Sequence, residues 1–333
     1  SMTYMSSDNW KPSASITTLQ ERARLFARIR QYLDGQQVME VDTPMLSANA
    51  TVDLHIDSFI TTFRPIGAGS EQSCYLHTSP EFPMKRLLAA GSGDIYSLGR
   101  VFRNGEAGGR HNPEFTMLEY YRLGMDQHQL MDDMTLLLSS VTAFKEVKRV
   151  SYGKVFQEKL GLNPHGASDE VLSALVQKHV DKGLSGLGRN DCLDLLFSNR
   201  IEPELGLGRA GELNGVYVYD YPASMAALAR LHTNDQGDQV AARFELFTNG
   251  VELANGYHEL THAEEQQTRF RTEQIKRKEQ GKPVYPYDHR FIESLRSGMP
   301  DCAGVAIGLD RLLMLMLNKK KIADVVAFDF FRA

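Results

Sequence analysis

Three stretches of this sequence bring together residue types that do chemistry. The first is Arg103-Asn104-Gly105-Glu106-Ala107-Gly108-Gly109-Arg110-His111-Asn112-Pro113-Glu114-Phe115-Thr116-Met117-Leu118-Glu119-Tyr120-Tyr121. Strand alternation puts Phe115, Met117, Glu119 and Tyr121 on one face. A carboxylate and a phenol among apolar neighbours suit a cationic substrate group. Arg103 stands where the preceding strand ends, and its planar guanidinium fork matches phosphate oxygens. An exposed hairpin with solvated charges would have the same composition.

The second stretch runs from Phe244 to Glu259. A two-residue turn at Asn249-Gly250 pairs Thr248 with Val251 and Phe247 with Glu252. An unbroken ladder then sets Glu245 opposite Ala254. Glu245 and Glu252 become diagonal neighbours on one face, about 7–8 Å apart. Two like charges there call for a cation, and magnesium carrying nucleotide phosphates is bound by few carboxylates plus phosphate oxygens. A pair facing water would dissipate the repulsion as well. The third stretch, Gly304-Val305-Ala306-Ile307-Gly308-Leu309-Asp310-Arg311-Leu312, is a glycine-spaced strand feeding a helix. Glycine lets a ligand approach the backbone, and Arg311 could clamp a terminal phosphate. Tight packing alone would also select such glycines.

These stretches need elements to position them. Thr18 and Glu21 have capping-box spacing. Leu19, Ala23, Phe26, Ile29 and Leu33 then recur at helical spacing, and Gly35 can end the helix in the left-handed conformation. A strand over Val38–Val41 is stopped by Pro44. Ile95–Phe102 and Phe115–Arg122 form a hairpin whose long connection, Asn104–Pro113, is rich in glycine and charge. Residues 145–213 read as a mainly helical insertion. Strands return at Val216–Tyr219 and Phe244–Leu253. Glu264–Gln280 is a polar helix bearing the basic run Lys276, Arg277, Lys278. Val305–Leu309 is a strand and Leu312–Leu317 an apolar helix. Residues 1–16 read as an N-terminal arm and 17–333 as one core. The expected class is α+β, a mostly antiparallel sheet flanked by helices. Neither GxxxxGK[ST] nor a strand-linked GxGxxG occurs, so a nucleotide must be held differently.

Composition removes several functions. The 333 residues are 42% hydrophobic and 24% charged, as in a soluble globular protein. The net charge of −5 lacks the basic excess of a general nucleic-acid binder, so no stable nucleic-acid partner is expected. The sequence has no apolar run of transmembrane length. Three widely spaced cysteines, Cys74, Cys192 and Cys302, form neither a disulfide framework nor a zinc pattern, which suits a reducing cytoplasm.

In this order, the three stretches resemble the signature motifs of class II aminoacyl-tRNA synthetases. The helix and strand ending at Pro44 resemble motif 1, which in that class builds a dimer interface, so the resemblance implies a homodimer. Arg103–Glu119 resembles motif 2 and Gly304–Arg311 resembles motif 3. Within the class, Thr78-Ser79-Pro80-Glu81, Met84-Lys85-Arg86-Leu87, Arg110–Thr116 and Glu252–Leu260 are similar to the lysine branch. The resemblance implies ATP and Mg2+ as cofactors. Arg103 would hold the α-phosphate and Arg311 the γ-phosphate. Glu245 and Glu252 would hold magnesium. His111 and Phe115 would flank the nucleotide, with Phe115 stacked on adenine and Gly308 beside it. The usual motif 2 acid contacts the adenine amino group; here either Glu106, one place later, would do so through altered loop geometry, or a backbone carbonyl would. Glu119, Tyr121, Asn255 and Glu259 would recognise lysine, with Glu81 near its amino and carboxylate end.

Lysyl-tRNA synthetases carry an N-terminal anticodon-binding domain, and because the motifs here begin almost at once, that domain is expected to be absent. That points to a truncated branch of the family, ligases that join (R)-β-lysine, or lysine, to a lysine ε-amine of elongation factor P. Ser79 stands where lysyl enzymes usually have alanine, and Ala306 where motif 3 usually has glycine. Both suit a pocket for a shifted amino group. A minimal synthetase charging tRNA, a non-catalytic lysine- or tRNA-binding module and an asparagine-synthetase-like ligase are the rival readings.

Overall fold

The computed structural model describes residues 8–105 and 107–333, so Glu106 and residues 1–7 of the expected arm lie outside the described residues. Along the chain run α1 (Ile16–Gly35), β1 (Met39–Glu40), β2 (Leu46–Ser47), β3 (Ile60–Phe63), β4 (Gln72–Leu76), α2 (Glu81–Ala89), β5 (Ile95–Phe102) and β6 (Glu114–Leu123). Then come α3 (Gln127–Val141), β7 (Phe144–Ser151), α4 (Tyr152–Leu160), α5 (Asp169–His179), α6 (Arg189–Arg200), β8 (Leu213–Pro222), β9 (Leu231–Thr233), β10 (Gln239–Thr248) and β11 (Val251–His258). The chain closes with α7 (Ala263–Glu279), α8 (His289–Gly298), β12 (Cys302–Gly308) and α9 (Leu309–Met316). It divides into two compact units. One takes the residues up to Tyr120, His262–Pro300 and Ile307–Ala333, and the other Tyr121–Thr261 and Asp301–Ala306.

In the first unit α1 starts earlier than its spacing predicts. Ser15 is the cap, its side chain accepting from the Thr18 amide, and Thr18 is buried inside the first turn. The left-handed residue after the helix is Gln37 (φ 60°), not Gly35. The helix buries Arg22, Leu25, Ile29 and Leu33. β1 lies parallel to β5 (Met39↔Ile95), and β2, β4 and β3 make a separate antiparallel sheet. The end of the expected arm is tied down. The Ser13 amide donates to the Ala327 carbonyl at 2.9 Å, and Arg332 donates to the Lys11 carbonyl at 3.1 Å.

In the second unit β11, β10 and β8 are antiparallel neighbours, while β7 runs parallel to β8. The stretch expected to be helical therefore opens with a strand, and α4, α5 and α6 follow it. Their apolar faces close one core with the sheet: Tyr152, Phe156, Leu172, Leu196, Phe197, Tyr221 and Phe247 are buried together. The Tyr152 ring stacks on Phe156 and Phe197 at 4.7 and 5.5 Å. Fully burying each such side chain is worth about 1.5–3 kcal/mol, so this packing outweighs the weak helical amphipathicity of α6. Most of these strand pairs are antiparallel, as expected, while β1/β5 and β7/β8 are parallel.

Candidate active site

In the first unit the loop after β5 is shaped by glycines in the left-handed region, Gly105, Gly108 and Gly109, where a side chain would strain the backbone. The Arg103 amide donates to the Pro113 carbonyl at 2.9 Å, closing the base of the loop. The Arg103 guanidinium lies 5.3 Å from the Phe115 ring centre, and its Nε is buried without a hydrogen-bond partner. Arg311 Nη2 and His111 Nε2 stand 3.2 Å apart. Four residues expected around a nucleotide thus form two contacting pairs. Gly308 caps α9 with an ordinary φ of −76°.

Sequence spacing missed what holds Arg311 in place. Arg22 on α1 reaches Asp310 Oδ1 at 2.7 Å and Thr116 Oγ1 at 2.9 Å, and Asp310 Oδ2 accepts from the Thr116 amide at 2.7 Å. This buried cluster fixes the start of α9 against β6. No local signal marks an ion pair 288 residues apart.

Glu119 is buried, and Ser79 Oγ donates to its Oε1 at 2.7 Å. The same hydroxyl accepts from the Glu81 amide at the start of α2, 3.1 Å away. Glu81 lies 3.4 Å from the fully buried Lys85. Burial pushes the Glu81 carboxyl above its ordinary range, and Lys85 opposes that shift. The run Lys276, Arg277, Lys278 does not form one basic surface. Arg277 is fully buried, its guanidinium 4.7 Å from the Tyr285 ring centre and donating to Asp57 at 2.6 Å and to the Asp53 carbonyl at 2.7 Å. A clamp on the 53–57 segment occupies it.

In the second unit the Asn249-Gly250 turn forms with both residues at positive φ (51° and 71°). Phe247 opposes Glu252 and Thr248 opposes Val251, as the spacing predicts. The ladder then slips. Leu246 opposes Ala254, and Glu245 opposes Asn255 instead of Ala254. A bulge at Leu253 takes up the extra residue, so the unbroken diagonal geometry expected for Glu245 and Glu252 is not formed. The bulge brings Arg243, Glu245, Asn255 and Tyr257 into adjacent pairs. Glu245 Oε2 accepts from the Tyr221 hydroxyl at 2.6 Å, and its Oε1 from Arg243 Nη2 at 3.1 Å. Burial, with Glu245 beside it, raises the Tyr221 phenol well above its ordinary value. Burial also opposes the charge of Arg243, but Tyr257, Glu245, Tyr221 and Glu252 outweigh it and hold the guanidinium charged. The cation that offsets the carboxylates is thus supplied by the chain.

The donor set still fits magnesium. Each Glu245 oxygen keeps a free lone-pair site, and Glu252 is only half-buried. Two carboxylates suit an ion that completes its shell with water and phosphate. Among the described residues no three His, Cys, Asp or Glu cluster as an all-protein cage.

Glu259 and Tyr121 are both buried. A Cβ on Gly304 would lie 2.3 Å from the Tyr121 ring and 2.9 Å from Glu259 Oε1. Glycine is demanded here by space. Ala306, two residues on, shares that strand face. Arg230 donates to the Glu259 carbonyl at 3.0 Å and to Asp301 at 2.6 Å, fixing the backbone under the acid. The three cysteines are buried, and none forms a disulfide. No helix among the described residues is long and apolar enough to cross a membrane.

A mostly antiparallel α+β frame, with one arginine at the base of a long strand-to-strand loop and another opening the last helix, is the class II synthetase arrangement. The family model described as tRNA synthetases class II (D, K and N) matches residues 4–331. The chain is 45% identical to the elongation factor P–(R)-β-lysine ligase of Vibrio cholerae over 99% of its own length and 100% of that protein. Ligases of the same name from Pseudoalteromonas translucida (45%; 99% and 100%) and Yersinia enterocolitica (43%; 98% and 98%) are similar. The chain belongs to the class II tRNA synthetase family and, within it, to the elongation factor P–(R)-β-lysine ligases.

Proposed function

We propose that the protein is an ATP-dependent ligase that activates (R)-β-lysine as an adenylate and joins it by an amide bond to a lysine ε-amine of elongation factor P. The observation that carries this reading is the nearly full-length match to ligases bearing that name. The substrate carboxylate attacks the α-phosphorus of ATP, the bond to the bridging oxygen breaks, and pyrophosphate leaves. The nucleophile is already anionic, so this step needs no protein base. Arg103 neutralises charge at the α-phosphate and Arg311 at the γ-phosphate, and catalysis is positioning and charge stabilisation. His111 and Phe115 flank the nucleotide. Glu245 and Glu252 would hold magnesium, which when bound supplies further positive charge to the phosphates. Glu119, Glu259, Asn255 and Tyr121 receive the substrate's ammonium end, with Glu81 at the other end. Ser79 and Ala306 adapt the pocket to a β-amino group. The acceptor amine then attacks the acyl carbon, AMP departs with its electron pair, and the amine loses a proton.

The bond from Ser79 to Glu119 fits this assignment, because it joins the residue read as a mark of this branch to a carboxylate read as a substrate ligand. A homodimer fits the exposed apolar side chains of Met39, Met45, Leu46, Ile60 and Phe63, which offer surface for a second copy. Buried thiols outside any disulfide fit a cytoplasmic setting. The test is intact-mass analysis of elongation factor P after incubation with the protein, ATP and magnesium. (R)-β-lysine and L-α-lysine run in parallel, with tRNA charging as the competing assay. The expected result is a one-residue mass gain on the factor, larger with (R)-β-lysine. Charging of tRNA with no gain on the factor would overturn the reading.

A further inference from the structure

Arg243 reaches two groups with different tasks. It is buried on β10 opposite Tyr257. One guanidinium nitrogen, Nη2, donates to Glu245 Oε1 at 3.1 Å and to Asn255 Oδ1 at 2.9 Å. A second, Nη1, donates to the Met225 carbonyl at 2.6 Å, and the third, Nε, is buried without a hydrogen-bond partner. The rings of Tyr221 and Tyr257 lie 4.8 and 5.1 Å from it, which fixes its plane. Tyr221 binds the second oxygen of Glu245, and the Asn255 Nδ2 donates to the Tyr257 hydroxyl at 2.9 Å. The amide of Asn255 is therefore held at both ends and cannot flip, while the carboxylate of Glu245 is held at both oxygens.

We infer that Arg243 is the positioning residue that couples the metal–nucleotide side of the site to its amine-reading side, by orienting Glu245 and Asn255 through one shared nitrogen. The inference rests on the roles proposed above for those two residues. An arginine kept only for stability would need acceptors of any kind. Here the two side-chain acceptors are one read as a metal ligand and one read as a substrate ligand. Lysine cannot replace it, because an ammonium on a flexible stem lacks the planar fork and the stacked seat between acceptors. Without the fork, the Asn255 amide is free to turn its donor end inward, and Glu245 Oε1 loses its charged donor.

The test uses the full chain and calorimetry without turnover. One titration follows (R)-β-lysine. Another follows a non-hydrolysable ATP analogue with and without magnesium. In Arg243→Lys, dissociation constants for the amino acid and for the magnesium-dependent part of nucleotide binding should both rise, each by about 10–100-fold as for other outer-shell partners. Metal-free nucleotide binding should stay unchanged. Tyr257→Phe releases only one end of Asn255, so only the amino-acid constant should rise. A folded Arg243→Lys protein with unaltered constants, or with just one of them altered, overturns the coupling. If Arg243→Lys does not fold by near-UV circular dichroism, Tyr257→Phe decides, and an unaltered amino-acid constant there overturns it. If the unsubstituted protein bound neither ligand, the reading of the site itself would fall, a result distinct from the loss of coupling.

Discussion

Space, not backbone conformation, holds position 304 to glycine. Its φ is ordinary, yet an added methyl carbon would sit 2.3 Å from the Tyr121 ring and 2.9 Å from Glu259 Oε1. Both neighbours are about 1% exposed, so neither can retreat into solvent. Gly304→Ala must displace the phenol, the acid or the strand, an overpacking that costs about 1–3 kcal/mol. The expected outcome is a folded protein of lowered melting temperature whose KM for the amino acid rises far more than its KM for ATP, measured by ATP–pyrophosphate exchange. Equal rises in both would remove Tyr121 and Glu259 from the amine pocket. Spacing alone marks Glu119 and Tyr121 on one strand face, because alternation and charge are local properties, whereas Glu259 enters only through the family resemblance. It does not reveal which ring covers Gly304, nor that Ser79 reaches Glu119 across 40 residues. Those are facts of the packed state.

Elements were legible where a local rule decides them. The Asn249-Gly250 turn is one case, since both residues tolerate positive φ and the turn sets the first two pairs of the hairpin. The Leu253 bulge was not legible, because a leucine in a bulge and a leucine in a regular ladder look alike in sequence. What accompanies the slip is a long-range fit: the Phe244 ring lies where any side chain on Gly256 would stand, 2.3 Å from a built Cβ. Arg243 lies one residue before the expected start of its strand at Phe244, which in the structure begins at Gln239, and nothing local marks a buried guanidinium there. The edge of β8 carries a pH-dependent contact. Asp220 is in the left-handed region (φ 59°) and its Oδ1 lies 2.8 Å from His232 Nε2 on β9. That hydrogen bond raises the His232 pKa above its ordinary 6.5, and partial burial opposes it. A raised folded-state pKa stabilises fully below the unfolded value, and the gain is lost as pH rises through the folded value. Asn tolerates positive φ, so Asp220→Asn removes the charge and keeps the backbone. The melting-temperature deficit of Asp220→Asn should be larger at about pH 5.5 than at about pH 8.5, since the charged imidazole is lost as pH rises. A deficit independent of pH would show that charge is not what ties β9 to β8.

At the scale of the molecule, the first unit is assembled from three separated parts of the chain, and its last residues complete it. The Ile322 amide donates to the Gly109 carbonyl at 2.9 Å, and the Phe330 amide to Asn112 Oδ1 at 3.0 Å, so the C-terminal segment braces the loop that follows Arg103. The tie between first helix and last is Arg22 with Asp310, whose side chains are 11% and 3% exposed. Arg22 also donates to the Val325 carbonyl at 3.1 Å. Removing one partner of such a pair strands the other charge in a dry site, at a cost of about 3–5 kcal/mol. Arg22→Met should therefore lower unfolding stability by that amount in denaturant titrations. Asp310→Asn added to it should restore part of the loss, because an amide oxygen still accepts from the Thr116 amide and no charge is left buried. The double substitution ought to be more stable than the sum of the two single effects, with a coupling above about 1 kcal/mol, in the range found for residues in direct contact. Strict additivity would mean that Arg22 and Asp310 do not hold each other. Arg311, next in sequence to Asp310, would then owe its place to contacts other than this pair, among them His111.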